Sequence, residues 1–460
     1  MGKKAWGGRF TKPTHEIAEK FSESISFDKR LYEQDILGSI AHVTMLAKQK
    51  IIQKKEADKI IKGLKEIKKE IESGKFVYKT ELEDIHLNIE RRLIEKIGDV
   101  GGKIHTARSR NDQVIVDTKL YIKKEILNIL GFIRSLSTEF VNLAEKNIDI
   151  IIPLYTHMQR GQPVLLSHHL LAYYEMLKRD YQRFSDCLKR INENPLGSGA
   201  GAGTTFPIDR KLTAELLEFD GVTKNSIDTV SDRDYIAEFI FCSSVLLMHL
   251  SRFSEELVLW STKEFDFVDL GDEFTTGSSI MPQKRNPDMS ELTRGKIARV
   301  YGNLNSILTL LKGLPLSYNR DMQEDKEPLF DTIDTVLGCL EINTQMLKTI
   351  EFKEENIAKA LRGGFITATD IADYLARKGM PFRNAHEVSG KVVSYAEKKG
   401  LELEDLEFNE IKQFSEMIEI DIFEYITVEG SVESRNSYGG TSTKNVKKMI
   451  KEAKKEVSKL

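Results

Sequence analysis

The chain has 460 residues, 40% of them hydrophobic, so it can bury a large core, and length alone allows roughly two to four domains. Its 68 Lys+Arg stand against 71 Asp+Glu for a formal net charge of -3, a balance that argues against both a nucleic-acid-binding surface and an acidic tail. The 3 cysteines, Cys187, Cys242 and Cys339, lie far apart and match no metal or disulfide spacing, so a reduced, cytoplasmic compartment is expected.

The opening residues Met1-Gly2-Lys3-Lys4-Ala5-Trp6 lack the apolar core of a signal peptide, and Trp6 stands where a myristoylation site needs Ser or Thr. No run of about 18 apolar residues occurs, so no membrane span is expected. Proline placement then organises the chain. None occurs between Pro13 and Pro153, between Pro207 and Pro282, or between Pro328 and Pro381, and residues 222–270 lack glycine as well. Such stretches, rich in Leu, Ile, Glu and Lys, predict long helices.

Residues 1–106 form a charged N-terminal section, where Ile60, Ile61, Leu64 and Ile67 recur at helical spacing between lysines. His86 follows in Glu83-Asp84-Ile85-His86-Leu87, and sequence leaves it equally open as a histidine satisfied between helices or a functional one. His105-Thr106-Ala107-Arg108-Ser109-Arg110-Asn111-Asp112-Gln113 is a polar loop feeding a helix. Its two arginines and an amide can grip a carboxylate in bidentate fashion, or can simply form an interhelical ion-pair cluster. The next helix carries Leu120, Tyr121, Ile126, Leu127, Leu130, Ile133 and Leu136 at core spacing.

Thr156-His157-Met158-Gln159-Arg160-Gly161-Gln162-Pro163 is read as a turn, with Pro163 opening another helix. His157 is the strongest histidine candidate, since it lies in a loop among hydrogen-bonding neighbours and an unperturbed imidazole changes charge near neutrality. His168-His169 lacks a carboxylate at metal-ligand spacing and reads as structural. The glycine-rich run 195–205 is not a nucleotide loop: Ala202 occupies the third glycine position, no strand precedes it, and no Gly-Lys-Ser/Thr follows. Close backbone approach between helices explains it better. Ser231-Asp232-Arg233-Asp234 has capping-box spacing. Behind it, Phe239, Val245, Leu246, Leu250, Phe253, Leu257 and Trp260 mark a buried helix, and residues 265–270 alternate like a short strand or extended loop.

Gly277-Ser278-Ser279-Ile280-Met281-Pro282-Gln283-Lys284-Arg285-Asn286-Pro287 combines a permissive loop, a hydroxyl pair, a lysine and an Asn-Pro step. Asn286 suits an N-cap and Pro287 the first helical position. A helix N-terminus beside Lys284 supplies donors and positive charge for a developing oxyanion. Glu291 falls on the first turn of that helix. The polar run 316–328, with Tyr318, Arg320, Gln323 and Lys326, is either a solvated linker or a binder of an amino-acid-like ligand. Residues 361–460 form a smaller section that ends in a helix striped with Val446, Ile450, Ala453 and Val457.

The order Gly-Ser-Ser-x-Met-Pro-x-Lys-x-Asn-Pro resembles the signature of the fumarase/aspartase superfamily, whose members eliminate fumarate from succinyl-type substrates. Residues 105–113, 156–163, 318–326 and Gly203-Thr204-Thr205-Phe206-Pro207-Ile208-Asp209-Arg210 resemble, within it, the argininosuccinate lyases. Gly161 and Gly201 depart from the alanine and leucine common there, both as small-loop changes. The resemblance implies a mainly α subunit in which a long central helix bundle, 107–360, is flanked by smaller N- and C-terminal helical domains, 1–106 and 361–460.

It also implies a homotetramer with sites shared between subunits, no metal or organic cofactor, and β-elimination of argininosuccinate to arginine and fumarate. Ser278 is then the candidate base, Lys284 and Asn286 stabilise the aci-carboxylate, and His157, polarised by Glu291, protonates the leaving nitrogen. The sequence leaves open the opposite assignment, with His157 as base and Ser278 as donor. Ser24, Arg110, Asn111, Thr156, Tyr318, Gln323 and Lys326 are implied to hold substrate, with His86 near the site. Sister lyases of adenylosuccinate, aspartate or fumarate would share the Ser278 loop, but residues 318–326 and 108–113 argue against them. Retention of His157, Ser278 and Lys284 argues against a catalytically silent, lens-type structural relative.

Overall fold

The computed structural model describes residues 14–459, so the readings at Met1–Trp6 and Pro13 lie outside the described residues. The architecture is mainly α, as expected. Its long helices are Arg110–Lys146, Leu166–Ile191, Asp234–Trp260, Asp288–Leu311 and Lys326–Leu347. Their interiors lack proline, so nothing there removes a backbone donor or clashes with the preceding turn. Pro328 falls in the first turn of Lys326–Leu347, where its missing N–H has no helical partner anyway. Among the described residues, every sheet is two-stranded.

Packing divides the chain into two units, and some of the long helices contribute to both. The first holds the described residues up to Leu130, with Gln182–Ser244 and Ala298–Val336. The second holds Gly131–Tyr181, Val245–Ile297 and the described residues from Leu337 on. In the first, Ala41, Val116, Leu120, Leu196, Leu217 and Phe219 share one core cluster. In the second, a separate cluster is built by residues between Ile371 and Ile426, including Leu375, Val392, Leu403, Ile411 and Ile422.

The expected stripes are buried: Ile60, Leu64 and Ile67 on Lys54–Glu72, and Val446, Ile450, Ala453 and Val457 on Thr443–Val457. Leu127 is the exception on Arg110–Lys146 and stays 53% exposed. One helix does pass the length and composition test for crossing a membrane. Asp234–Trp260 reaches a mean hydropathy of 1.4, and 61% of that window is buried within the fold, as befits a core helix. Phe239, Leu246, Leu250, Phe253 and Leu257 supply that burial, each worth about 1.5–3 kcal/mol.

Several local expectations are corrected. Pro163 opens no helix; it pairs with Pro153 in the antiparallel hairpin Ile151–Thr156/Gln159–Leu165, where neither proline needs to donate to the ladder. The helix begins at Leu166 instead. Asn286 is not an N-cap: the first helical N–H, from Glu291, bonds to the Pro287 carbonyl, and helix Asp288–Leu311 starts one residue later than expected. At 231–234 the Arg233 carbonyl takes the first helical N–H, from Ala237, and Asp232 Oδ1 supplies the side-chain acceptor, for Arg233 and Asp234 N–H at 2.7 and 2.8 Å. Ser231 instead closes the preceding helix by donating to the Ile227 carbonyl. The alternating segment 265–270 yields a strand of 2 residues, Val268–Asp269, paired with Glu351–Phe352.

The glycine-rich loop does cradle an anion, and that anion is internal. Gly197 and Gly199 N–H donate to Asp112 Oδ2 at 3.0 and 2.9 Å. The other oxygen of Asp112 accepts from Ser109 N–H at 3.0 Å, while Ser109 Oγ accepts from Asn111 N–H at 3.2 Å. One carboxylate thus caps the longest helix and pins the loop to its start.

Gly199 sits at φ +59, and an added Cβ would lie 2.5 Å from the Gly203 carbonyl oxygen. Gly203 itself, at φ +76, has open space for one. Gly199→Ala is therefore expected to cost about 2–3 kcal/mol, and Gly203→Ala only the left-handed penalty of about 1 kcal/mol. Urea unfolding of the two variants checks the ordering.

Candidate active site

The second unit carries the serine loop and the candidate histidine. Strands Thr276–Gly277 and Arg285–Asn286 pair in antiparallel fashion and close the loop between them into a hairpin. Its base is held firmly. Arg285 makes a bidentate pair with Asp269 at 2.9 and 3.0 Å, and Thr276 Oγ1 hydrogen-bonds Asp288. Asn286 Nδ2 lies 3.5 Å from Thr276 Oγ1, across the same base.

At the tip, Ser278 Oγ accepts from the N–H groups of Ile280 and Met281 at 3.3 and 3.1 Å. A hydroxyl oxygen facing two backbone donors is biased toward carrying negative charge. Ser279 is exposed and Ser278 half-buried. Lys284 is exposed, and among the described residues its ammonium has no partner. Glu291, one turn into the following helix, lies 3.7 Å from Arg294.

Thr156 faces Gln159 across the other hairpin, and His157 and Met158 are the two turn residues, at φ +52 and +59. Two positive φ values in a two-residue hairpin define a type I′ turn, a geometry usually given to Asn-Gly. Holding His and Met there costs free energy, so the flanking strand pairing must over-determine the turn. His157 is exposed, and its side chain makes no hydrogen bond with the described residues of its own chain.

The first unit carries the expected substrate ligands other than Thr156 and Asn286. Arg110 Nε is 3.0 Å from Asp84 Oδ2, and its Nη1 donates to Gln113 Oε1 at 2.5 Å. Asn111 Nδ2 reaches the Ala200 carbonyl at 3.4 Å. Ser24 N–H donates to the Glu83 carbonyl at 2.8 Å. Gln323 Nε2 contacts the Ser22 and Glu23 carbonyls at 3.3 and 3.4 Å, so it holds the segment next to Ser24. Tyr318 is half-buried, follows Ser317 at φ +72, and burial pushes its hydroxyl pKa up. Lys326 is buried, with Nζ 2.8 Å from Asp325 Oδ1. The other Asp325 oxygen takes Arg233 Nε at 2.6 Å.

His86 is fully enclosed. Its Nδ1 lies 2.9 Å from Asp35 Oδ1 and 3.2 Å from Asp117 Oδ2. Burial disfavours the imidazolium, yet the Asp117 and Asp35 hydrogen bonds outweigh it and hold the His86 pKa up at about 10. Burial, with repulsion from Asp35, pushes Asp117 up to about 7. Asp35 is held well below the usual range by His86 and Arg108 despite burial.

Asp35, His86 and Asp117 have the composition of a cation site. His86 Nδ1 is hydrogen-bonded to Asp35 with Asp117 3.2 Å away, and Arg108 adds a second positive charge, so protein cations already face both carboxylates. Arg108 is itself buried, with Nη1 on Ser39 Oγ at 3.0 Å, which leaves Arg110 as the arginine of that loop able to meet a ligand. His42, held neutral by burial and Arg108 with a pKa of about 3, bonds the Thr106 carbonyl at 2.8 Å and supports the turn before it.

Sequence reasoning missed Asp28, Asp35, Asp117 and Asp325. Asp117 carried a signal. It precedes the buried Leu120 and Tyr121 by 3 and 4 positions, on the apolar stripe where an acid needs a partner.

Comparison with known proteins settles the family. The sequence pattern of a family described as "Lyase" matches residues 8–302, and one described as "Argininosuccinate lyase C-terminal" matches residues 365–433. An argininosuccinate lyase from Geotalea daltonii is 58% identical over 447 residues, 97% of this chain and 98% of that one. One from Carboxydothermus hydrogenoformans is 56% identical over 99% of this chain and 100% of its own. The chain belongs to the argininosuccinate lyases of the fumarase/aspartase superfamily. Among solved structures, a variant EDDS lyase with bound fumarate superposes with a TM-score of 0.83 at 28% identity, covering 98% of this chain and 91% of the other. The class II fumarase of Schistosoma mansoni, 17% identical with a TM-score of 0.73 over 90% of this chain and 92% of its own, shares the fold.

His86, raised above its unfolded value, binds its proton more tightly in the folded state, so its contribution is complete below about pH 6.5 and is lost as pH rises toward about 10. Asp117 acts in the same direction at lower pH, between its unfolded value of 3.8 and about 7. Thermal melting should therefore show stability falling between pH 6.5 and 10, with the slope reduced in His86→Asn. That variant should also lose about 3–5 kcal/mol at pH 6, since it strands buried carboxylates.

Proposed function

We infer that this chain cleaves argininosuccinate to L-arginine and fumarate, the carbon–nitrogen lyase step of arginine biosynthesis, by β-elimination through an aci-carboxylate. The observation that carries the chemistry is the Ser278 hydroxyl oxygen, which faces the Ile280 and Met281 N–H groups. Breaking the C–N bond requires removal of a weakly acidic proton β to the leaving nitrogen, and the electron pair moves into the adjacent carboxylate. Ser278, as oxyanion, takes that proton. Lys284, without a partner among the described residues, and Asn286 stabilise the dianionic carboxylate where charge develops. Collapse of the intermediate expels the guanidinium nitrogen, which His157, polarised by Glu291, protonates. Thr156, Ser24, Arg110, Asn111, Tyr318, Gln323 and Lys326 hold the substrate, and no metal or organic cofactor takes part.

We further propose a cytoplasmic homotetramer in which each site draws on more than one chain. At 1.5 Å per residue, the Arg110–Lys146 helix puts about 55 Å between Arg110 and the end that leads to the His157 hairpin. Exposed apolar side chains on the long helices, Leu127, Phe241, Leu292, Tyr301 and Leu308, support burial against other copies. The separately matched region 365–433 supports a domain boundary near residue 361, with 1–106 and 107–360 preceding it.

Fumarate absorbance on mixing the protein with argininosuccinate tests the reaction, and activity on adenylosuccinate alone would overturn it. Ser278→Ala should lower turnover by roughly a hundredfold or more, while Ser279→Ala stays far milder. Equal losses would assign the chemistry to the loop and not to one hydroxyl. Reassembly of inactive His157→Asn and Ser278→Ala subunits at equal ratio should restore about a quarter of the wild-type sites. Recovery near zero despite subunit exchange would place both residues on one chain.

A further inference from the structure

Ser24 heads the short helix Ile25–Asp28, a place where a serine ordinarily accepts a backbone N–H through its side-chain oxygen. It makes no such cap. Its hydroxyl instead donates across one turn to Asp28 Oδ2 at 2.6 Å. The second Asp28 oxygen accepts from Ile85 N–H at 3.0 Å, and the residue is 1% exposed. An ionised carboxylate only accepts, and a hydroxyl has one proton. That proton is committed inward, so Ser24 can offer a ligand nothing but its lone pairs. Among the described residues no donor uses them.

The backbone fixes this orientation. Ser24 and Ile25 N–H both donate to the Glu83 carbonyl, at 2.8 and 2.9 Å. The Glu83 residue itself sits in a strained conformation at φ 64 and ψ -62. On the other side, Arg320 and Gln323 hold the Ser22 carbonyl at 2.5 and 3.3 Å. Burial pushes the Asp28 carboxyl up to about 6, with His86 and Lys326 pulling it down and Asp84 pushing with burial. At pH 8 it is ionised.

We propose that Asp28 is a positioning residue that locks Ser24 as a hydrogen-bond acceptor. It thereby makes this corner of the site select a donor-bearing cationic group, the ammonium or guanidinium of the arginine half of the substrate, over a carboxylate. The inference rests on the reading above that Ser24 touches substrate. Asparagine at 28 keeps the shape and the acceptor for Ile85, but its amide can donate to Ser24 and turn the serine proton toward the ligand.

The test is product inhibition at pH 8, with inhibition constants for L-arginine and for fumarate measured on the wild type, Asp28→Asn, Ser24→Ala and the double variant. Asp28→Asn should weaken arginine by about tenfold, the worth of one hydrogen bond, and leave fumarate within about twofold. Ser24→Ala should do the same, and the double variant should be no worse than Ser24→Ala. Equal weakening of both products marks Asp28 as merely structural and overturns the proposal. So does an arginine defect in Ser24→Ala that Asp28→Asn does not share, an outcome that leaves Ser24 as a substrate ligand. If Ser24→Ala leaves arginine binding untouched, the placement of Ser24 at the substrate fails, and this inference with it. Should Asp28→Asn not fold, Ser24→Ala still decides: loss of fumarate affinity in place of arginine affinity refutes an acceptor role.

Discussion

A charged imidazole removed from water demands compensation within a few ångströms, and the Asp35–His86–Asp117 cluster meets that demand with side chains from three helices. Asp35 comes from Tyr32–Lys48, His86 from Ile85–Ile97 and Asp117 from Arg110–Lys146. A shift of any one helix by a single residue would strand a buried charge, so the cluster fixes the mutual register of all three. That register reaches the ends of the same helices, where the candidate substrate ligands sit. Asp84 caps Ile85–Ile97 by accepting from Leu87 N–H at 2.7 Å, and its other oxygen pairs with Arg110 at the start of the long helix. The placement of Arg110 and Asn111 is therefore a consequence of buried electrostatics more than of the polar loop in which they sit.

Much of this architecture was legible in the sequence, because hydrophobic period and proline placement report directly on helix formation. The stripes at 60–67, 239–257 and 446–457 face the core as their spacing requires. What the sequence obscured was local backbone choice where two chemistries compete. Pro163 reads as a helix opener and also as an edge-strand residue, and only its pairing with Pro153 decides. Asn286 has the propensity of an N-cap, yet its backbone is committed to the loop-base strand opposite Thr276. The glycine-rich run shows the same limit. Its glycines do present N–H groups to a carboxylate, as a nucleotide loop would to a phosphate, but the partner is Asp112, a residue 85 positions away from Gly197. No local pattern encodes such a partner.

The candidate site divides along similar lines. Motif order singled out Ser278, Lys284 and His157, because a hydroxyl, an ammonium and an imidazole near small residues have a recognisable chemical logic. The residues that orient the candidate binding side chains were missed. Asp28, Asp35, Asp117 and Asp325 lie on helices or at their ends, where a lone acid reads as surface, and their importance comes from burial and partners distant in sequence.

The arrangement of the serine loop bears on how a poor base is made to work. A serine hydroxyl is far too weakly acidic to lose its proton in water, so its oxyanion must be stabilised at the place where it forms. One route is to set the Lys284 ammonium against Ser278, which would neutralise the base with the charge the intermediate also needs. The loop offers a different route. The Ile280 and Met281 N–H groups already point at Ser278 Oγ, while Lys284 is exposed with no partner among the described residues. In the mechanism proposed above, backbone dipoles would attend to the base, and the lysine would be left for the substrate carboxylate, where charge accumulates only as the C–H bond breaks. An interaction that strengthens in the transition state lowers the barrier, whereas one already made in the ground state does not. With donors of this kind worth about a hundredfold or more in rate each, keeping the two tasks on separate groups uses every charge in the loop where it grows. The stapled base, Arg285 on Asp269 and Thr276 on Asp288, then serves a single purpose: it lets a short exposed tip hold that division without the rest of the loop having to be rigid.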